Sequence, residues 1–245
     1  MDLKELQSDV NPQEHWYYQT KKSCLLKFFK EKITGFKKVT VIDIGAGSGF
    51  FSLELYRLYP EKINKIILVD INYTENEIVE TQGKFIQKMQ ELPSTVENSF
   101  IIMMDVLEHI EDDQMFLEQL KIRIMDKSYC FITVPAFQEL YSGHDVFLGH
   151  YRRYTLRQLQ NILRAQGFLI NKSYYQYGLI FPIVYVLRKL NNKPNIAKND
   201  MKSVNPIINS ILYNIIGLEM QITHFNKNFG LTCTVELTIN GVSKR

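Results

Sequence analysis

The fold is decided by one short stretch of the chain, VIDIGAGSG, which occupies residues 41–49. Its first half is apolar and β-branched, a composition typical of a parallel strand that is buried on both faces. Its second half contains Gly45, Gly47 and Gly49. Glycines at the point where a strand turns into a helix let the backbone approach a ligand closely. The stretch therefore predicts a buried strand, a ligand-binding turn and a helix in succession.

Apolar segments of strand length recur along the rest of the chain. We predict further strands at residues 65–69, 85–89, 99–104, 129–134, 168–175 and 231–239. Helical patterns lie between several of them, and strands that alternate with helices form a parallel sheet. We therefore predict an α/β, Rossmann-like fold with a seven-stranded, mostly parallel sheet, helices on both faces and a helical insertion before the last strand.

The chain has 245 residues, which fits one α/β domain with additions. We predict a single domain with an N-terminal helical cap at 1–36, a core at 37–176, an apolar helical insertion at 177–228 and a final strand at 229–245. Within the core, residues 135–154 are expected to form a loop. Another helix is expected to begin after Thr155, with Gln158 at the capping-box position.

Composition excludes several classes of protein. The 29 basic and 26 acidic side chains are too balanced for a nucleic-acid-binding protein, which needs a concentrated basic face. Cys24, Cys130 and Cys233 are too widely spaced for a metal site, and their odd number does not suggest a disulfide framework. The chain shows no apolar leader and no run long enough to cross a bilayer, so a cytoplasmic location is predicted.

The glycine spacing indicates which ligand the turn holds. A dinucleotide fold needs the pattern GxGxxG, but here the third glycine comes one residue early and Asp43 precedes the first. Asp70 ends the next strand, where a carboxylate can accept hydrogen bonds from two ribose hydroxyls. S-adenosylmethionine has no phosphate, and its sulfonium and amino-acid end suit acidic groups. The pattern resembles motif I of class I S-adenosylmethionine-dependent methyltransferases.

The resemblance implies S-adenosyl-L-methionine as the cofactor and a set of residues that would bind it. That set is Asp43, Gly45, Ala46, Gly47, Gly49, Asp70, Ile71, Met89, Gln90, Asp105 and Val106. The chain departs from the family near the adenine, where Lys88 stands in place of the usual acid. Backbone groups near Met89 and Gln90 are therefore expected to bind the ring.

Other stretches sharpen the resemblance, which covers most of the chain. Residues 105–110, DVLEHI, resemble the motif that follows the fourth strand of small-molecule methyltransferases. Residues 15–18, 134–137, 143–145 and 148–155 resemble a bacterial subgroup whose members often accompany glycosyltransferases in cell-envelope glycan pathways. The resemblance implies methyl transfer to a small-molecule or glycan-type acceptor, at oxygen. A non-catalytic binding scaffold and an NAD-linked oxidoreductase are the alternatives.

Methyl transfer to a hydroxyl requires a base, whereas a carboxylate acceptor needs none. His109, His144 and His150 are the candidates for this base. A purely structural role is the alternative for His109. A metal site formed by the other two histidines and Asp145 is the less favoured interpretation, so no resident metal is expected.

Asp145, Tyr151, Arg152 and Arg153 are the predicted acceptor-binding residues, because arginine can grip a phosphate or carboxylate with two hydrogen bonds. Ordinary surface charge is the alternative interpretation of the arginines.

The apolar insertion indicates a further partner. Residues 179–187 are apolar and precede Arg188 and Lys189, and isoleucines recur with helical spacing from Ile207 to Ile216. Both segments are too short to span a bilayer, but they could lie in a membrane interface or line a groove for a polyprenyl chain. A lid packed on the core or a dimer interface is the alternative. We therefore predict a lipid-linked glycan acceptor with peripheral contact at the inner membrane face, and leave the oligomeric state open.

Overall fold

The computed structural model describes residues 10–191, 197 and 204–241, so the outer parts of the predicted cap and final strand, and the middle of the insertion, lie outside it. The strands are β1 Val39–Ile44, β2 Ile63–Val69, β3 Ile86–Met89, β4 Ser99–Met104, β5 Ser128–Pro135, β6 Leu169–Gln176 and β7 Thr232–Ile239. The helices are α1 Trp16–Lys32, α2 Phe50–Leu58, α3 Glu75–Thr81, α4 Asp113–Arg123, α5 Gly143–Leu148, α6 Leu156–Ala165, α7 Phe181–Asn191 and α8 Pro206–Ile222.

The seven strands form one sheet in the order β3-β2-β1-β4-β5-β7-β6. Strands β1 to β5 pair in parallel, and β7 is antiparallel to both of its neighbours. This arrangement confirms the predicted Rossmann-like fold with a mostly parallel sheet. Ile44 at the end of β1 pairs with Val69 of β2 and Met103 of β4, so the residues that follow these strands emerge together at one edge.

Both faces of the sheet are covered by apolar side chains, as the continuous apolar strands predict. One face packs against α1, α2 and α8, with Phe28, Leu55 and Ile216 among the buried contacts. The other face packs against α4 and α6 through residues such as Leu120 and Leu159. This two-sided burial leaves the carboxyl edge of the parallel strands as the place for polar chemistry.

The helix starts follow local sequence. Thr155 caps α6 and forms the predicted capping box with Gln158. The expectation of a loop at 135–154 was wrong in part, because α5 lies within it. Ser142 and Asp145 form a capping box that starts this one-and-a-half-turn helix, and Gly149 ends it in a left-handed conformation. The helix is too short to show an apolar period in the sequence. The division of the chain into four segments stays a prediction.

Candidate functional site

The glycine turn after β1 is fastened to the end of β2. The backbone N–H of Gly47 donates to Asp70 Oδ2 at 2.8 Å, and the hydroxyl of Tyr73 donates to the Gly47 carbonyl at 2.7 Å. Asp70 Oδ1 also accepts from the backbone and side chain of Asn72, both at 3.0 Å. The turn is therefore held in place before any ligand binds.

Two of the glycines are required by space as well as by conformation. Gly45 has a φ of +65°, and a Cβ there would lie 2.6 Å from Val106 Cγ2. Gly49 has a φ of +72°, and a Cβ there would lie 2.9 Å from Leu68 Cδ1. A side chain at either position would strain the backbone and push against a buried residue of a neighbouring strand or loop. Both glycines therefore keep the turn close to the sheet.

Asp43 lies beneath the turn as a buried acid near the end of β1. Burial raises its pKa to about 6, and the negative charge of Asp70 adds to the effect, while a hydrogen bond from Ser52 opposes it. Ala46 is also buried, and its backbone N–H donates to the Val69 carbonyl at 3.1 Å.

The end of β3 and the residue after Asp70 border the region where the adenine is expected. Ile71 is 82% exposed, although it is apolar. Met89 accepts a hydrogen bond from the Asp70 N–H at 2.9 Å, and the Gln90 side chain donates to the Tyr73 carbonyl at 2.7 Å. Lys88, the departure from the family, forms an ion pair with Glu77 at 2.5 Å. These contacts leave the exposed Ile71 side chain as an apolar surface at this edge.

Asp105 follows β4 in a left-handed conformation, with a φ of +58°. Its carboxylate accepts from Thr133 at 3.0 Å and forms an ion pair with the buried Lys21 of α1. Burial opposes ionisation of Asp105, but the Lys21 ammonium and the Thr133 hydroxyl hold its pKa below the ordinary value. Lys21 also donates to the Tyr17 hydroxyl at 2.9 Å, and the Tyr17 ring stacks on Tyr177. The N-terminal helix therefore reaches the site directly.

A histidine pair joins the turn after β4, which holds His109, to the loop after β5, which holds His150. The rings of His109 and His150 are perpendicular, with centroids 4.5 Å apart. Their ring nitrogens and a carboxylate oxygen of Glu108 all lie within 4.8 Å of one another. Burial raises the pKa of Glu108 well above its ordinary value, and the negative charge of Asp105 adds to this. The structure thus brings together two of the three predicted histidines, while His144 lies in α5 outside this cluster.

Asp145 is the buried centre of a second network. Its carboxylate accepts two hydrogen bonds from Arg153, at 2.7 and 3.0 Å, and one from the backbone N–H of Ser142 at 2.8 Å. It also contacts His150 Nδ1 at 2.9 Å. Burial opposes ionisation, but the His150 hydrogen bond and the Arg153 charge hold the pKa of Asp145 far below its ordinary value. In this structure Asp145 and Arg153 bind each other and orient His150.

The two remaining predicted acceptor-binding residues lie nearer the surface. Tyr151 is 53% exposed, and its backbone N–H donates to the Glu108 carbonyl at 2.7 Å. Arg152 pairs with Asp113 at 3.1 Å and donates to the Glu111 carbonyl at 2.5 Å. Tyr151 therefore joins the loop after β5 to the turn after β4 and leaves its ring available to an acceptor.

The described part of the apolar insertion exposes many of its side chains. The described part of the chain contains no helix that is both long and apolar enough to span a membrane. Large apolar side chains of α7 and α8, and that of Leu179 just before α7, are nonetheless exposed, and we call them together the apolar surface. It comprises Leu179, Ile183, Val186, Leu187, Leu190, Ile207, Ile208, Ile211, Ile215, Leu218 and Ile222.

Sequence reasoning missed two residues of this site. Glu108 stands next to His109 within the quoted DVLEHI stretch, which was the available signal, but its burial depends on the fold. Lys21 lies 84 residues from Asp105 along the chain, and nothing in its own neighbourhood indicates a buried ion pair. Only the packing of α1 on the sheet brings these two charges together.

Comparison with known proteins is consistent with this geometry. A family described as "Methyltransferase domain" matches residues 14–172, more than half of the chain. The search of curated proteins found no match to this chain.

Three solved structures share the fold at low identity. A methyltransferase of Haloferax volcanii in complex with the Trm112 methyltransferase activator is 14% identical, with a TM-score of 0.55, and the match covers 95% of this chain and 92% of that one. The plantazolicin methyltransferase BpumL with S-adenosylhomocysteine bound is 12% identical, with a TM-score of 0.55, over 91% and 85%. A SAM-dependent methyltransferase of Archaeoglobus fulgidus is 19% identical, with a TM-score of 0.50, over 89% and 94%.

Proposed function

Since the chain belongs to the methyltransferase-domain family and is a methyltransferase with S-adenosylmethionine as its cofactor, we propose that it methylates a hydroxyl of a small-molecule or glycan-type acceptor. The family membership sets aside the scaffold and oxidoreductase alternatives. One observation carries the choice of a hydroxyl: the rings of His109 and His150 meet, and His109 lies four residues after Asp105 in the turn that follows β4. A carboxylate acceptor would have no use for a proton acceptor there.

In the proposed reaction the acceptor oxygen attacks the methyl carbon of the donor. The carbon–sulfur bond breaks and its electron pair stays on the sulfur, which becomes the neutral sulfur of S-adenosylhomocysteine. The hydroxyl proton passes to the imidazole pair as the carbon–oxygen bond forms. Asp145 orients His150 through the Nδ1 contact, which fixes the ring for this task. Positioning of the two substrates supplies much of the remaining rate enhancement.

The test is an acceptor screen with radiolabelled methyl donor, run on sugars, phenols and carboxylates side by side. Once an acceptor is found, His109→Ala and His150→Ala should each lower kcat by about a hundredfold or more. His144→Ala is the matched comparison, since His144 lies outside the cluster, and should cost less. S-adenosylhomocysteine binding should stay at the wild-type level in all three. A carboxylate product, or full turnover in all three variants, would contradict the proposal.

The apolar surface supports a second element of the proposal, that the acceptor is carried on a lipid. A face with this many exposed apolar side chains is unusual for a soluble monomer and marks an interaction site. Lys189 at the end of α7 adds a positive charge for anionic head groups. Arg188 of α7 donates to the Leu140 carbonyl at 2.6 Å, which joins this helix to the segment that leads to His150. A lipid carrier bound along α7 would therefore hold its glycan near this segment.

Co-sedimentation with vesicles of anionic lipid tests this element. The wild-type protein should bind at low salt and less at moderate salt, because anionic head groups contribute to the attraction. Ile211→Gln combined with Leu218→Gln should weaken binding, and Val79→Gln, an exposed apolar residue on α3, is the matched control. If the protein stays in the supernatant at both salt concentrations, the lipid element fails and the hydroxyl element stands.

A further inference from the structure

Glu108 is the starting point, because its carboxylate is wholly buried and neither oxygen has a hydrogen-bond partner among the described residues. Burial of a polar group without a partner costs free energy, and such groups are rare in folded proteins. A group of this kind at the edge of an active site is typical of a residue that receives a ligand. The structure therefore directs attention to what this carboxylate binds.

The two nearest candidates for a shared ligand are the imidazoles of His109 and His150. One ligating atom from each of the three residues lies within 4.8 Å of the other two. Three tetrahedral ligands with bonds of about 2.1 Å to one ion stand roughly 3.4 Å apart. Binding an ion would therefore have to draw the three ligating atoms somewhat closer together. Two histidines and one carboxylate form a ligand set that binds divalent transition metals and leaves coordination positions open.

The surroundings support such a site. Asp145 Oδ1 lies 2.9 Å from His150 Nδ1, so the ring has Nε2 left for a ligand, as in the carboxylate–histidine–metal arrangement. The backbone N–H of Tyr151 donates to the Glu108 carbonyl at 2.7 Å and fixes the turn. Among the other nearby charges, Lys21 balances Asp105 and Arg153 balances Asp145. Neither cation donates a hydrogen bond to Glu108, so a bound cation would supply the partner that this carboxylate lacks among the described residues.

We propose that Glu108, His109 and His150 bind one divalent transition-metal ion of the zinc class, with at least one coordination position open to the acceptor. Metal binding itself does not depend on the proposed function, but the role of the ion in activating the acceptor rests on that function. The site differs from the one considered from the sequence, which combined His144, His150 and Asp145. Asp145 here supports a ligand instead of acting as one.

An ion at this position would change how the hydroxyl is activated. Held by Glu108, His109 and His150, it would lower the pKa of a coordinated hydroxyl, whose proton would leave to water, and the imidazoles would serve as ligands instead of proton acceptors. The acceptor oxygen would then form the carbon–oxygen bond as the carbon–sulfur bond of the donor breaks and leaves its electron pair on the sulfur. No oxidation or reduction takes place. The metal site thus narrows the proposed acceptor to one whose hydroxyl oxygen can coordinate a metal ion.

The full chain, stripped with a chelator and desalted, should bind one equivalent of Zn²⁺ in calorimetry. Co²⁺ at the same site should give visible absorption bands of a low-coordinate complex, displaced by Zn²⁺. Glu108→Gln, which keeps the side-chain volume, and His109→Ala should each abolish the Co²⁺ bands. His144→Ala, the matched control outside the cluster, should leave them unchanged. The supporting Asp145→Asn variant should bind about 10- to 100-fold more weakly.

The outcomes separate this proposal from the proposed function. Wild-type protein that binds neither ion, or whose Co²⁺ bands survive Glu108→Gln, overturns the metal site. S-adenosylhomocysteine binding by each variant shows whether it is folded, and the wild-type titration decides the question even if a variant is not. Turnover of a hydroxyl acceptor that is equal with and without chelator overturns the activating role. If an ion binds but no hydroxyl is methylated, the site stands and the proposed function fails.

Discussion

The two halves of the carboxyl edge, which we call the cofactor half and the acceptor half after the ligands chiefly predicted for them, are built differently. In the cofactor half, formed by β1 to β3, the backbone turn at Gly47 is held by Asp70 and Tyr73 through short hydrogen bonds. In the acceptor half, formed from β4 onward, side chains from separate loops meet, and Glu108 is buried with no hydrogen-bond partner in the described chain. A backbone turn that neighbouring side chains hold in one position suits one fixed ligand. An acceptor site built from side chains can differ between enzymes that share the donor.

The largest effect is expected at Asp145, the charged centre of the acceptor half. Asp145→Asn leaves Arg153 buried without its counter-charge, which should lower the free energy of unfolding by about 3–5 kcal/mol. Chemical denaturation measures this loss. The control is Asp126→Asn, in the loop between α4 and β5, where the side chain is exposed. Its free energy of unfolding should stay within about 0.5 kcal/mol of the wild-type value. Equal stability of the two variants would show that the Asp145 network does not hold the acceptor half together.

The second prediction concerns the pH dependence of the cofactor half. Folding raises the pKa of Asp43 from 3.8 to about 6, so the folded state holds this proton more tightly than the unfolded state. Stability from this group is complete below about pH 4 and is lost as the pH rises through about 6, by up to about 3 kcal/mol. The wild-type protein should therefore lose stability between pH 4 and 7, and the Asp43→Asn variant should lack this loss. Denaturation curves that stay parallel for the two proteins across this range would contradict the assignment.

The third prediction separates the halves by ligand binding. Asp70→Ala removes the acceptor of the Gly47 N–H and the expected partner of the ribose, so S-adenosylhomocysteine affinity should fall by roughly 1.5–3 kcal/mol. Calorimetry measures the loss. Asp70→Asn, which keeps one acceptor oxygen, should lose less. Wild-type affinity in the alanine variant would place the ribose elsewhere.

The smallest effect is expected at Ile215 on the apolar surface, and the buried Ile216 beside it serves as the comparison with a large effect. Ile215 is 48% exposed, whereas its neighbour Ile216 is fully buried. Ile216→Ala should cost about 2–5 kcal/mol, because it leaves a cavity, and Ile215→Ala should cost about 0.5 kcal/mol or less. The difference between the two stability losses shows whether the Ile215 face of α8 is exposed to solvent in solution. A similar loss at both positions would mean that another copy of the chain covers the surface.

The same contrast explains what the sequence could predict. The glycine turn, Asp43 and Asp70 lie within local patterns of strand and turn, so both the fold and the donor were predicted and are confirmed. The histidine pair joins a turn after β4 to a loop after β5, and no local pattern states how two such segments meet. Asp145 and Arg153 illustrate the difficulty, since residues suited to grip a substrate are equally suited to grip each other. Their part in acceptor binding stays a prediction.

The place of β7 in the sheet bears on how the protein is made. Among the described strands β7 comes last in sequence but lies between β5 and β6, so β5 has an unpaired edge until β7 has left the ribosome. The strands of the cofactor half are adjacent in space and are synthesised earlier, so they can pair while the rest is still being translated. The growing chain would therefore acquire its donor-binding turn first. The acceptor half would be completed only when the final strand slides into the gap.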